Sequence, residues 1–340
     1  AFDLAADANF KTHLNAEEPW NVKRLFFNTS WWFYGSQKNF EKADKTNLIG
    51  LDIGTYYKHK GLSNSEIASL SRSQHQSQGF GSTGSRGSEV EYLEFLKGDF
   101  PKSNQVFDGI DTSWGRIKGG NPIGAVLEQV ESNFNFNKPE ASIPGLLQAY
   151  NLLVALEDSH WRTIKLKELK ATIAACAGLY LEVVADSPST TIGSANKFRV
   201  EAINRSTSDV VLNAVNLEAL GIKQNLDSIL AVNKAEIFSV SGQIPEKIRL
   251  TYPYWLEESG TLGMYTVKEK KLIGKPETPR SVIAKFDLSF GETQLTFKRP
   301  VVYKSTDPVK GEVYRPFEIL PEVFATFEEQ VHLFSNDDAQ

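Results

Sequence analysis

The sequence holds one cysteine, Cys176, and one methionine in 340 residues. A lone thiol excludes an internal disulfide framework and any cysteine-based zinc cluster. Histidine is scarce as well. His13, His59, His75, His160 and His332 are scattered, and no two have ligand spacing. Zinc needs three or four converging protein donors, so no metal site and no resident cofactor are expected within this chain. His-Glu-x-x-His, the nucleophile elbow Gly-x-Ser-x-Gly and a Walker loop are all missing. No apolar run approaches the roughly 20 residues that span a bilayer, so no transmembrane segment is expected. Positive charge is in deficit, at a net −5, which removes the electrostatic case for nucleic acid as a partner. There is no signal-peptide pattern and no initiating Met, so Ala1 is expected to be a cut end.

What remains is an ordinary globular composition, 41% apolar and 23% charged, long enough for two or three domains. Cys176 lies in a helical apolar pattern and reads as core. Trp31-Trp32-Phe33-Tyr34 is the densest aromatic cluster, either core or a sugar-stacking platform.

The most distinctive stretch runs from Ser71 to Gly87, with Arg72, His75, Gln78, Arg86 and four glycines. Ser63-x-x-Glu66 before it is a capping box, so a helix is predicted from Ser63 toward His75. Ile67, Ala68 and Leu70 would form its apolar face. Ser71, Arg72, His75 and Gln78 would share a polar face, at three- and four-residue intervals. Gly79, Gly81, Gly84 and Gly87 then break the helix. A polar face running into a glycine-rich loop is either a lip for a polar ligand or a solvated helix end. The loop could also cradle a phosphate through its amides, with Arg72 or Arg86 as clamp. His75 is a candidate general acid or base, the role imidazole suits near neutral pH, or is solvent-facing with no task.

Elsewhere, Lys23–Asn28 and Asn47–Ile53 read as strands. Ser88-x-x-Glu91 reads as a second capping box, opening a helix over Val90–Leu96. Phe107–Trp114 is a polar turn in which Asp108 and Asp111 bind a cation or a sugar hydroxyl, or cap the turn. Pro122 suits a first helical turn, followed by Ile123, Val126, Leu127, Val130 and Phe134. Ser142 can cap a further helix, and Trp161 to about Leu179 forms its antiparallel return, with His160 as a local cap in the turn. After Tyr180 the period becomes two. Leu179–Ala185, Lys197–Asn204, Val210–Val215, Ala235–Val240, Lys247–Tyr252, Ser281–Phe290, Thr293–Phe297 and Val323–Phe334 read as strands of an antiparallel sandwich. The fold class is therefore α+β: a mixed α/β region over 1–138, an αα-hairpin over 139–179, and a β-sandwich over 180–335.

Several of these segments together resemble a known family. They are Trp20–Phe26, Asn28–Trp32, Ser71–Gly81, Phe107–Trp114, Trp161-Arg162, Cys176–Leu179, Asn204–Ser206, Pro253–Leu256 and Thr306–Glu312. The pattern is similar to large bacterial members of the PIG-L/LmbE-like N-acetylglucosaminyl deacetylase family. That resemblance implies a zinc-dependent amide hydrolase with a Rossmann-like domain, an early His-Pro-Asp-Asp motif and a later His-rich segment. Neither motif is in this sequence, so the resemblance places the chain downstream of both and carries over no metal ligand and no catalytic base. Zinc is expected in the complete family member, against whose upstream segment this chain would pack.

The expected substrate-binding set is Ser71, Arg72, His75, Gln78, Arg86, Asp108, Asp111 and Trp114, lining a pocket for an amino sugar or glycan. The alternative is a carbohydrate- or partner-binding structural module without enzymatic role. The sandwich, similar to modules that accompany carbohydrate-active enzymes, and the near-absence of thiols point to the periplasm or cell surface.

Overall fold

The computed structural model of the chain describes residues 1–10, 19–103, 105–157, 159–326, 328 and 331. It divides into two compact units, residues 1–112 and 113–340.

In the first unit, β1 (Arg24–Thr29) is followed by α1 (Gln37–Lys42) and β2 (Leu48–Asp52). A short hairpin, β3 (Tyr56–Tyr57) and β4 (Leu62–Ser63), leads into α2 (Asn64–Ser73), and β5 (Val90–Gly98) closes the unit. Strands β1, β5 and β2 form an antiparallel sheet with β5 in the middle. Trp31–Tyr34 makes a short 3-10 turn after β1.

β5 corrects the helix expected after Ser88. The Asp52 carboxylate accepts from the Ser88 hydroxyl at 2.8 Å and from the Glu89 amide at 3.1 Å, which holds this segment beside β2 instead of in a helical cap. Both edges of β5 are then paired, and ladder hydrogen bonds on two sides outweigh the helix preference of Glu and Leu. Tyr92 meets Phe40 of α1 edge-on, and Phe95 meets Phe26 and Phe100.

The second unit opens with α3 (Asn121–Ser132), α4 (Ile143–Val154) and α5 (His160–Cys176). Pro122 sits in the first turn of α3, where its missing N–H costs nothing. Two expected caps are corrected. A 3-10 turn over Pro139–Ser142 runs into α4, and Ser142 caps it with its backbone alone. α5 is capped by Ser159, whose hydroxyl accepts from the Arg162 amide at 3.1 Å, and His160 is already helical.

Strands follow: β6 (Tyr180–Ala185), β7 (Ser189–Thr191), β8 (Ala195–Ile203), β9 (Val210–Leu217), β10 (Ile222–Ile229) and β11 (Ala235–Gln243). Then come β12 (Ile283–Phe290), β13 (Thr293–Pro300), β14 (Val302–Asp307), β15 (Gly311–Pro316) and β16 (Glu318–Leu320). They form two main sheets, in the orders β10-β9-β12-β13 and β11-β8-β6-β14-β15. The first is antiparallel throughout. The second contains a parallel step between β6 and β14, and β7 pairs with β16 in parallel, so the sandwich is not purely antiparallel. Alternate residues point inward: Phe198, Val200 and Ala202 from β8, and Phe286 and Leu288 from β12. They share one core with Ile143, Leu153 and Ile173 of the helices, so the helical layer packs directly on the sheets.

Two expected strands are not found among the described residues. Lys247–Tyr252 is irregular, held to Ile319 by the Thr251 amide at 2.7 Å and the Thr251 hydroxyl at 2.9 Å. Pro245 and Pro253 bracket it and remove the donors a ladder needs. In 323–334, the described residues 323–326, 328 and 331 form no strand, and Val323 and Phe324 are exposed; the remainder lies outside the described residues. The hairpin β14–β15 turns at Asp307, whose carboxylate accepts from the Val309 and Lys310 amides at 2.8 Å each.

Candidate functional site

The capping box at the start of α2 is complete. The Ser63 hydroxyl accepts from the Glu66 amide at 3.2 Å, and the Glu66 carboxylate accepts from the Ser63 amide at 2.9 Å. That backbone bond, aided by the Arg86 guanidinium 3.1 Å away, holds the Glu66 carboxyl below its ordinary pKa.

The helix is shorter than expected. It ends at Ser73, His75 leaves with ψ 58°, and Gln76–Gln78 forms a separate 3-10 turn closed by left-handed Gly79. The continuous polar face through Ser71, Arg72, His75 and Gln78 is therefore broken after Arg72. Three of the four still gather at one place. The Arg72 guanidinium lies 5.4 Å from the Phe80 ring centre, and the His75 ring lies 6.4 Å from it. His75 Nδ1 is 3.0 Å from Gln78 Oε1. All of these residues, and Ser71, are exposed. This is an open, hydrogen-bonding lip with one cation and one imidazole, suited to a polar, uncharged or anionic group.

The other face of α2 reverses the expected burial. Leu70 and Ala68 are exposed, while Ser63 is buried and Ser65 and Glu66 are half-buried. The cover is the glycine-rich loop. Ser65, Ser69 and Ser73, one turn apart on α2, form a seam that holds it. Ser65 Oγ accepts from the Ser85 amide at 3.0 Å, Ser73 Oγ accepts from the Ser82 amide at 3.3 Å, and the Ser69 hydroxyl donates to the Ser82 carbonyl. Gly84 lies flat on the helix, and Gly54 presses on Gly87, where a Cβ would sit 1.9 Å from the carbonyl oxygen. The run Gly79–Gly84 spells Gly-x-Gly-x-x-Gly, but a 3-10 turn precedes it and no helix follows it. With the Ser82 and Ser85 amides spent on α2, the loop does not form a phosphate cradle. Arg86, the proposed clamp, is tied to Glu66 and to the Gly84 carbonyl at 3.1 Å.

Asp108 is a turn cap. Its carboxylate accepts from the Lys102 and Ser103 amides at 2.7 and 3.1 Å, and Arg24 donates to the Asp108 and Val106 carbonyls. Asp111 is exposed. Trp114 belongs to the second unit. Its ring covers Gly124, where a Cβ would meet the ring Cδ1 at 3.2 Å, and it borders a 240 Å³ cavity with Leu127, Leu146 and Leu153. Packing among helices is its structural role there.

Among the described residues, no three His, Cys, Asp or Glu side chains converge as a metal site, and no helix is long and apolar enough to cross a membrane. His13 and His332 lie outside the described residues. The described donors do not fit the zinc that the resemblance implies.

One grouping was missed from sequence: Lys167 and Lys170 of α5, Arg205, and Lys298-Arg299 of β13 line one cleft. The readable half of its signal is the helical spacing of Lys167, Lys170, Ala171, Ala174 and Ala175 on one face.

No family model and no curated protein matches the sequence. Among solved structures, a β-glucosidase from Erythrobacter marinus is 10% identical, with 35% of this chain and 15% of that chain covered and a TM-score of 0.15. The alkylpurine DNA glycosylase of Pseudomonas fluorescens, bound to DNA containing an abasic-site analogue, is 8% identical over 51% of this chain and 50% of that chain, with a TM-score of 0.18. This chain thus spans at most half the length of either, and scores this low establish no shared fold.

Proposed function

We propose that this chain is the non-catalytic portion of a zinc-dependent deacetylase acting on N-acetylglucosamine-containing substrates. In this reading the first unit completes the sugar pocket through Arg72, His75 and Gln78, and the second unit is an accessory sandwich. The observation that carries it is an imbalance in the first unit. Among its described residues, Phe40, Ile49 and Pro101 alone of the apolar side chains are buried, while Trp20, Leu25, Phe27, Trp31, Trp32 and Leu96 are exposed. A region of this size stabilised by so small a core needs further apolar surface to pack against. A catalytic segment carrying the zinc ligands supplies that surface in our reading. The substrate's hydroxyls and acetamide suit the open lip around Phe80, where a guanidinium, an imidazole and an amide present donors and acceptors side by side. The sugar-processing role and the single thiol support a periplasmic or surface location.

A glycan-binding module without chemistry is the second reading, favoured by the exposed rings of Trp31, Trp32 and Phe33, which suit stacking against sugars. Zinc content and acetate release separate the two. If the first reading holds, the product of the complete gene is expected to release acetate from N-acetylglucosamine oligomers and to hold zinc, and the 340-residue chain is expected to do neither. A complete gene without His-Pro-Asp-Asp upstream, or a zinc-free, inactive complete product, leaves the binding module.

A further inference from the structure

In the second unit, the C-terminal half of α5 runs beside β13, the edge strand of its sheet. Ala171 and Ala175 face the strand without filling the gap, and a cleft of 590 Å³ remains, within the range of small-ligand sites. Five cationic side chains line it: Lys167, Lys170, Arg205, Lys298 and Arg299. No carboxylate is among the lining residues, and none of the five makes an ion pair with another described residue. In a chain of net charge −5, such a concentration of unpaired positive charge runs against the composition.

Two structural explanations fall short. Cations near a helix C-terminus can serve its free carbonyls. Here the helix end is closed by its own backbone: the Leu179 amide donates to the Ala174 carbonyl at 2.9 Å and the Gly178 amide to Ala175 at 3.0 Å, with Gly178 left-handed at φ 56°. Charges also protect sheet edges, but that function keeps side chains in solvent, whereas Lys170 and Arg299 are half-buried. Burial, and then the Lys298 charge, push the Lys170 ammonium below its ordinary pKa, and burial does the same to Arg299. Lys170 is held by the Thr296 carbonyl at 3.2 Å, and Arg205 by the Gly178 carbonyl at 3.2 Å and the Tyr180 ring. Lys170 and Arg205 are thus fixed by neutral partners that leave their charge uncompensated.

We infer that this cleft binds a small ligand bearing two or more tetrahedral oxyanion groups, as phosphate or sulfate esters. Arginine forks and lysine point charges are the donors such groups select. The inference is independent of the deacetylase reading.

Calorimetric titration of the whole chain with glucose 1,6-bisphosphate and with glucose 2,6-disulfate tests it and separates phosphate from sulfate. At least one probe is expected to bind with one-to-one stoichiometry and to weaken as salt is raised. The pair Lys170→Gln and Arg299→Gln is expected to weaken that binding at least about tenfold. The exposed pair Lys167→Gln and Lys298→Gln should weaken it about threefold or more without disturbing packing. Lys223→Gln, at the other edge of the same sheet, should leave it unchanged. Failure of both probes to bind, wild-type binding by both cleft pairs, an equal loss in Lys223→Gln, or tighter binding of a short DNA duplex than of either probe would each overturn the inference.

Discussion

A Cβ built on Gly84 would lie 2.6 Å from the Cα of Glu66, so the loop touches the first turn of α2 backbone to backbone. The contact lets Ser85 reach Ser65 and Ser82 reach Ser73, and it holds Phe80 beside Arg72 and His75. Gly84→Ala is expected to lift the loop, because neither backbone can yield. Gly81 meets nothing within 4 Å, so Gly81→Ala is expected to stay within about 0.5 kcal/mol of wild type. Amide exchange at Ser82 and Ser85 reads the difference: fast in Gly84→Ala, unchanged in Gly81→Ala.

Acid should release the same clamp. The Ser63 amide bond depresses the Glu66 carboxyl, and the Gly54 amide, the Ser88 hydroxyl and the Glu89 amide depress Asp52. Groups whose folded pKa is lowered contribute stability that is fully present above their ordinary pKa of about 4, and that is lost as pH falls through the folded value. Protease cleavage within 79–89 is therefore expected to be flat from neutrality down to mildly acidic pH and to rise below it. Glu66→Gln should be more susceptible at neutral pH and should flatten the acid rise. Cleavage independent of pH in both proteins contradicts this assignment.

In the second unit, Lys304 of β14 lies 2.6 Å from Glu182 of β6, beside the parallel step of the larger sheet. Burial works against both charges, yet the bonds between them leave Glu182 below and Lys304 above their ordinary values. Lys304 keeps some solvent contact, so Glu182→Ala is expected to cost about 2 kcal/mol, less than the roughly 3–5 kcal/mol of a fully buried pair. Lys304→Met with Glu182→Leu should recover most of that loss. Urea unfolding of the three proteins measures it.

The two units should also differ in protection. The amides of β5 are expected to exchange orders of magnitude faster than those of β8 in the 340-residue chain, since so few apolar side chains are buried in the first unit. Joined to the proposed catalytic segment, β5 should become protected. Equal protection of β5 and β8 in the shorter chain would show that the first unit needs no further surface.

Much of this architecture was legible from pattern. The Ser63 capping box, Pro122 at the start of α3 and the alternation along β8 and β12 are local signals, and local interactions realised them. The Ser88 capping box failed because Asp52, distant in sequence, captured its hydroxyl and the next amide. Lys247–Tyr252 failed because its apolar spacing ignored the prolines at both ends. The site was half legible. The helical face expected to join Arg72, His75 and Gln78 is broken by the turn after Ser73, and Phe80, which the spacing did not single out, is what Arg72 and His75 both approach. Asp108 became a cap, Trp114 a packing residue and Arg86 an ion-pair partner. Of the basic cleft only the α5 face was legible, because the core brings β13 to α5 and no spacing in the sequence records that.

The pocket claim rests on the lip around Phe80, and kcat/KM for acetate release by the complete gene product tests it most directly. Arg72→Ala and His75→Ala together are expected to lower it by about a hundredfold, while zinc content stays at wild type. An unchanged kcat/KM in the double variant would contradict it.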